Sequence, residues 1–147
     1  MTPVQLALTP VAAGDFEAMV ALRIAALRES LERLGRFDAQ RARERLAAQF
    51  EPAAMRHIER DGERIGFVTL KPAADGSVKL EHLYILPGHQ GEGIGAWALD
   101  WVKRQGQDVT LSALKLSDAN RFYLRHGFTA VGESEFDIDY RWKASQA

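Results

Sequence analysis

The sequence predicts an α/β fold with elements in the order β-α-α-β-β-β-α-β-α-β-β and an antiparallel start. Three observations predict it. A short apolar strand, Leu83–Leu86, breaks at Pro87-Gly88 and gives way to a glycine-dense loop, Gln90-Gly91-Glu92-Gly93-Ile94-Gly95. A helix follows with Ile94, Trp97, Ala98, Trp101 and Val102 at 3.6-residue spacing. Asp61-Gly62, between two strand-like runs, is a hairpin signal. A second strand–helix succession, Val109–Ala113 and Ala119–His126, comes after the first.

Taken in order, Val4–Leu8 alternates weakly and reads as an edge strand. Asp15 caps a helix whose apolar residues Phe16, Val20, Ile24, Leu27, Leu31 and Leu34 form one face, and Gly35 ends it. Asp38 caps a second helix with Ala42, Leu46 and Phe50 on one side; Pro52 stops it. Its arginines Arg41, Arg43 and Arg45 read as a solvated face. Met55–Arg60 and Arg64–Leu70 flank the turn Asp61-Gly62-Glu63, and Ala73–Ser77 is a second turn before the strand Val78–Leu86. Beyond the glycine-loop helix lie Val109–Ala113, the helix Ala119–His126, and short strands around Phe128–Val131 and Phe136–Trp142. Trp97 and Trp101 read as core packing of an apolar helix face. Gly127 reads as a positive-φ helix terminator with Phe128 as its hydrophobic follower. His57 and His126 have no partner pattern and read as surface residues, and the four histidines show no metal-ligand spacing.

Composition narrows the classes. A chain of 147 residues, 46% hydrophobic and 27% charged, reads as one globular domain, 1–147, able to bury a sizeable core. With 19 basic and 20 acidic residues the net charge is −1, which gives no electrostatic case for a nucleic-acid or membrane-surface partner. There is no run of 18 apolar residues and no charged-then-apolar N-terminus, so neither a membrane span nor a secretory signal is expected. The absence of cysteine removes a disulfide framework and a protein thiolate nucleophile. The cytoplasm is the expected compartment.

The glycine loop carries the chemistry. Glycines let a backbone come close to a ligand, and the unpaired N–H groups of a first helical turn point at its negative charge. Gly91–Ala96 therefore reads as a phosphate site. A Walker loop needs Lys-Ser/Thr after its last glycine, and Ile94 follows Gly93 instead. The dinucleotide fingerprint is formally met by Gly91, Gly93 and Ala96, with Asp118 near the ribose-binding distance. Against it, Pro87–Gln90 separate the strand from the first glycine, and only residues 97–147 remain for the parallel sheet that this motif opens. Gln90-Gly91-Glu92-Gly93-Ile94-Gly95 resembles instead the Gln/Arg-x-x-Gly-x-Gly/Ala signature of the GNAT acetyltransferase superfamily, which cradles the pyrophosphate of acetyl-CoA.

A second block extends the resemblance. Residues 109–128, including Lys115-Leu116-Ser117-Asp118-Ala119-Asn120-Arg121-Phe122-Tyr123 and Gly127-Phe128, are similar to the next GNAT block, roughly Leu-Lys-x-Asn-Pro-Ala-Arg-Arg-Phe-Tyr-x-x-x-Gly-Phe. The chain departs from it at Ser117, where Asn is usual, and at Asp118, where Pro is usual. The two blocks cover residues 78–128; the N-terminal half matches in its order of elements. The resemblance implies a mixed central sheet splayed around the cofactor strand, with acetyl-CoA as co-substrate and no metal. It assigns the cofactor to Gln90, Gly91, Glu92, Gly93, Ile94, Gly95 and Ala96, to Ser117 and Asn120, and to the backbone of Leu83, Tyr84 and Ile85. In GNAT proteins this strand leaves its neighbour, and an extended pantetheine pairs with peptide groups that would otherwise be costly orphans.

Acyl transfer to an amine sets further demands. An alkyl amine of pKa about 10.4 is protonated at pH 7, so a base, or a water chain ending at one, must take its proton. A thiolate of pKa on the order of 8.5 then departs, eased by a proton donor. Tyr123 falls at the position of the GNAT tyrosine that approaches the CoA sulfur, and is the expected donor. Glu81 and His82 are the candidate bases; as strand neighbours they face opposite sides of the sheet. Attack is expected to be direct. The acceptor is expected to be a small-molecule or peptide amine. The resemblance implies that the first two helices and the last loops, here Leu22–Phe50 and Gly132–Asp139, meet it; Glu133, Glu135, Asp137 and Asp139 either attract a cation or are simply solvated. The expected assembly is a monomer or homodimer. The rival reading is a non-catalytic acyl-CoA-binding or sensing module.

Overall fold

A computed structural model describes residues 4–146. Seven strands and four α-helices follow in the order β1 (Leu6–Pro10), α1 (Phe16–Arg33), α2 (Ala39–Gln49), β2 (Met55–Arg60), β3 (Glu63–Pro72), β4 (Val78–Ile85), α3 (Ile94–Lys103), β5 (Val109–Leu114), α4 (Ala119–Arg125), β6 (Thr129–Glu133) and β7 (Asp137–Trp142). The strands form one mixed sheet ordered β1-β2-β3-β4-β5-β7-β6. The element order is the expected one, and the start is antiparallel as expected. The chain forms two compact units: one holds the chain through Thr69 together with His82–Gly95, the other Leu70–Glu81 and the chain from Ala96 onward.

In the first unit β1 pairs with β2 from Leu6↔Arg60 to Pro10↔Arg56. The strand is displaced from the expected Val4–Leu8 because Gln5 is held instead by the hairpin tip. Its N–H donates to Asp61 Oδ1 at 2.9 Å, and its carbonyl accepts from the Asp61 N–H at 2.8 Å. Asp61 (φ 51°) and Gly62 (φ 85°) both take positive φ, the two-residue hairpin turn whose twist matches the strands. Glu63 therefore pairs with Arg60 as a strand residue rather than a turn residue. The register between β2 and β3 shifts after Ile58↔Gly66 to Glu59↔Arg64, leaving Ile65 as the extra residue of a bulge. Gly66 is obligatory there: a Cβ on it would overlap the Tyr84 carbonyl oxygen and lie 3.3 Å from Ile85 Cα.

Helix α1 packs through Met19 and Val20 into a core with Val11, Leu46, Met55 and Phe67. Phe67 is fully buried, and burial of that size contributes about 1.5–3 kcal/mol. The buried face differs from the expected one: Arg23 is buried too, its Nη1 donating to the Ala42 carbonyl at 2.7 Å and so tying α1 to α2. Gly35 (φ 68°) ends α1, with the Arg36 N–H reaching the Leu31 carbonyl. Asp38 caps α2 as expected, accepting from the Arg41 N–H at 3.1 Å. Asp15 does not cap α1 with its side chain. Its carboxylate is drawn elsewhere, to the Ala12 N–H (2.9 Å) and His57 Nε2 (2.9 Å).

In the second unit β4 begins parallel to β5, with Val78↔Val109 and Lys79↔Thr110 as the paired register; β5 pairs antiparallel with β7, and β7 with β6. The α3 residues Ala98, Leu99 and Val102 are buried, whereas Trp97 and Trp101 are half-buried. The helical period was legible, but Leu99 takes the core position expected of the tryptophans. Gly127 (φ 88°) terminates α4, the Phe128 N–H bonds the Tyr123 carbonyl, and Phe128 is buried behind it.

Candidate functional site

The first unit brings together His82, Leu83, Tyr84, Ile85 and the loop Gln90–Gly95. A 3₁₀ turn at Pro87–His89 follows β4 and carries the chain into the loop. Gly91 and Gly93 take φ of 78° and 81°, while a Cβ at either would meet nothing within 4 Å. Backbone conformation, rather than lack of room, requires glycine at both. Ile94 is buried and opens α3, with Gly95 and Ala96 in its first turn, where N–H groups have no partner within the helix. Gln90 turns its side chain back, Nε2 donating to the Ile85 carbonyl at 2.8 Å. The Tyr84 carbonyl instead faces Gly66 of β3. Leu83 is half-buried between His82 and Tyr84 in sequence. Glu92 receives Arg60, whose Nη1 lies 2.6 Å from Oε2. That hydrogen bond and charge hold the Glu92 carboxyl below its ordinary pKa.

His82 is buried with both ring nitrogens engaged: Nδ1 is 2.9 Å from Thr69 Oγ1 and Nε2 is 2.8 Å from Gln49 Oε1. An amide oxygen only accepts, so Nε2 carries the proton and Nδ1 accepts from the threonine hydroxyl. The ring lies edge-on to Phe67 and 5.6 Å from the Tyr84 ring, over which the Arg23 guanidinium sits, also at 5.6 Å.

The second unit holds Glu81, Ala96, Ser117, Asn120 and Tyr123. Glu81 is half-buried, with Lys71 Nζ 3.1 Å from its Oε2. Asn120 closes the loop before α4 on itself: Nδ2 donates to the Leu114 carbonyl (2.9 Å), to the Ser117 carbonyl (3.0 Å) and to Ser117 Oγ (3.3 Å), while Oδ1 accepts from the Tyr140 hydroxyl (2.7 Å). Leu116, within this loop, takes φ 70° and is 87% exposed, an unusual conformation for a leucine. Tyr123 is buried among aromatic rings, with Phe122 at 5.2 Å and Phe128 at 5.4 Å. Of the acidic residues near the C-terminus, Glu133 pairs with Lys115 at 3.0 Å and Asp139 accepts from Ser112 Oγ at 2.6 Å.

Two histidines depart from expectation. His57 is not a surface residue: it is fully buried, and its Nε2 donates to Asp15, which Arg64 Nη1 also approaches at 3.2 Å. His57 and Arg64 line a cavity of about 320 Å³ with Ala18, Ala21, Leu22 and Leu86. His126 is half-buried against the Phe122 ring at 4.6 Å, and burial, reinforced by the charges of Lys103 and Arg125, lowers its pKa. Arg60 carries no signal in the sequence, because its target lies 32 residues away. Among the described residues no cluster of three or more His, Cys, Asp or Glu forms a metal site, and no helix is long and apolar enough to cross a membrane.

Residues 54–130, more than half of the chain, match the family model described as an acetyltransferase (GNAT) domain. The chain belongs to the GNAT acetyltransferase family. Solved structures share its fold. The PaiA N-acetyltransferase of Thermoplasma acidophilum, in complex with coenzyme A, superposes with a TM-score of 0.74 at 16% identity, covering 97% of this chain and 99% of that one. An acetyltransferase from Thermus thermophilus gives 0.74 at 19% identity, covering 95% and 97%. The loading GNATL domain of CurA from Lyngbya majuscula gives 0.71 at 14% identity, covering 99% and 100%. No match is found among proteins of curated function.

Proposed function

We propose that this chain transfers an acetyl group from acetyl-CoA to a small-molecule or peptide amine by direct attack. The observation that carries the reading is the glycine loop of a GNAT domain, with positive φ at Gly91 and Gly93 immediately before the first turn of α3. Such a loop offers backbone N–H groups to a diphosphate. Gln90–Ala96 are its proposed cradle, Leu83–Ile85 the proposed pantetheine strand, and Ser117 and Asn120 further proposed contacts. For Ile85 the proposal requires the Gln90 amide to give way, because that amide now occupies the Ile85 carbonyl.

In the proposed reaction the amine nitrogen bonds to the thioester carbon, the C–S bond breaks, and the CoA sulfur leaves with a proton from Tyr123. The amine proton passes to a base or through water, and solvent reprotonates Tyr123. A phenol suits this role because it stays protonated at pH 7 yet can give its proton to a departing thiolate. A water chain is the preferred route for the amine proton. His82 has both nitrogens in hydrogen bonds and Glu81 faces Lys71, so neither is presented as a free base.

That same engagement favours a second reading, a domain that binds acyl-CoA without turnover. A thermal-shift comparison of CoA, acetyl-CoA, NAD(H) and ATP, followed by free-thiol release across amines, amino acids and peptides, separates the two. CoA should stabilise the chain far more than equal NAD(H) or ATP. Thiol release with any acceptor supports catalysis; CoA binding without release across the panel supports the module. An equal shift with NAD(H) removes the CoA reading.

A further inference from the structure

We infer that Arg60 is a positioning residue of the glycine loop, a clamp that neutralises the loop's own acid and so sets its affinity for the CoA diphosphate. The inference rests on the CoA reading proposed above. Arg60 is the last residue of β2, and its guanidinium grips Glu92 between the two positive-φ glycines, Nη1 to Oε2 at 2.6 Å and Nη2 to Oε1 at 3.4 Å. The same Nη1 lies 3.2 Å from His89 Nδ1, on the turn that leads into the loop. One side chain thus ties down both the approach to the loop and its middle. The pair is partly shielded, with the arginine side chain 22% exposed and the glutamate 46%.

Two physical problems meet at Glu92. A loop of alternate glycines has little stiffness of its own, so its N–H groups lose order unless something outside holds them. A carboxylate inside an anion site also opposes its ligand. Arg60 addresses both at once. It anchors the loop to a strand, and it reduces the local charge of the pair to zero. Neither side chain needs to touch the phosphates, since the backbone N–H groups do that work.

The test is CoA titration by calorimetry on the wild type, Arg60→Ala, Glu92→Gln and the double variant, each checked by circular dichroism and by its melting point without ligand. Arg60→Ala leaves one uncompensated negative charge in the loop and should weaken CoA about tenfold, the order expected for a unit charge near a diphosphate at a partly screened surface. Glu92→Gln leaves the arginine's positive charge in excess and should tighten CoA roughly threefold. The double variant returns the pair to neutrality but lacks the anchor, so its affinity should recover part, not all, of the Arg60→Ala loss. Added salt should shrink the Arg60→Ala loss. Arg60→Gln replaces the alanine variant if that one melts early, and carries the same expectation.

Wild-type affinity in Arg60→Ala overturns the clamp. So does a double variant as weak as Arg60→Ala, because an arginine that binds the phosphate itself, rather than offsetting Glu92, permits no rescue by Glu92→Gln. Absence of CoA binding by the wild type overturns the CoA reading as well, and is thereby distinct from a failure of the clamp alone.

Discussion

Replacing Gly93 by aspartate should abolish most CoA binding while leaving the fold intact. Two effects combine, and they can be separated. Gly93 has φ 81°, a left-handed conformation that costs a residue with a Cβ about 1–2 kcal/mol. A Cβ there meets nothing within 4 Å, so no clash adds to that cost. Asparagine tolerates this region better than most residues, and Gly93→Asn therefore isolates the shape change at roughly 1 kcal/mol or less. Aspartate adds a charge to the same shape. At about 5 Å from a phosphate, with an effective dielectric between about 20 and 80, the repulsion amounts to about 1–3 kcal/mol. The aspartate variant should then bind CoA roughly 5- to 1,000-fold more weakly than the wild type, and the asparagine variant less than about tenfold more weakly. Calorimetric titration with CoA and acetyl-CoA measures both, and a melt without ligand checks the fold. A well-folded Gly93→Asp chain with wild-type affinity refutes the loop as the diphosphate site.

Three further outcomes are expected. Tyr123→Phe should keep CoA affinity and lower kcat by roughly 10²–10⁴-fold in the thiol-release assay, because the hydroxyl matters as charge builds on sulfur; near-normal kcat would leave Tyr123 as packing for Phe122 and Phe128. Gly66→Ala should destabilise the chain by about 1–3 kcal/mol in urea melts, since its Cβ would overlap the Tyr84 carbonyl, and an unchanged midpoint would contradict that close approach. The Ala12 N–H, foremost, and His57 lower the Asp15 pKa from 3.8 to about 2. Between those values the unfolded chain binds a proton that the folded chain does not. The stabilisation is therefore complete above about pH 4 and lost as pH falls toward 2. Asp15→Asn should accordingly be less stable than the wild type at pH 7, with the two converging near pH 2; a gap independent of pH would exclude the linkage.

What was legible in the sequence follows from how far each residue's requirement reaches. Gly91, Gly93, Gly62 and Gly127 announce themselves because positive φ is a demand of the residue's own backbone. Asp38 is readable as a cap because its partner, the Arg41 N–H, is three residues away. Alternation says that Glu81 and His82 point to opposite sides, but which partners receive them depends on Gln49, Thr69 and Lys71, contributed by α2 and β3. His57 reads as a surface residue in sequence for the same reason: Asp15 lies 42 residues away, and a pairing at that distance leaves no period to read. The strand order β5-β7-β6 has no local signature either, because the last two strands pair in an order that chain succession does not state. Arg60 is the most consequential case. In sequence it closes an ordinary strand before an Asp-Gly turn, where a charged residue needs no explanation. Only the hairpin register and the course of the chain after β4 bring it to Glu92, so the charge state of the glycine loop is decided by a residue outside the motif that defines it.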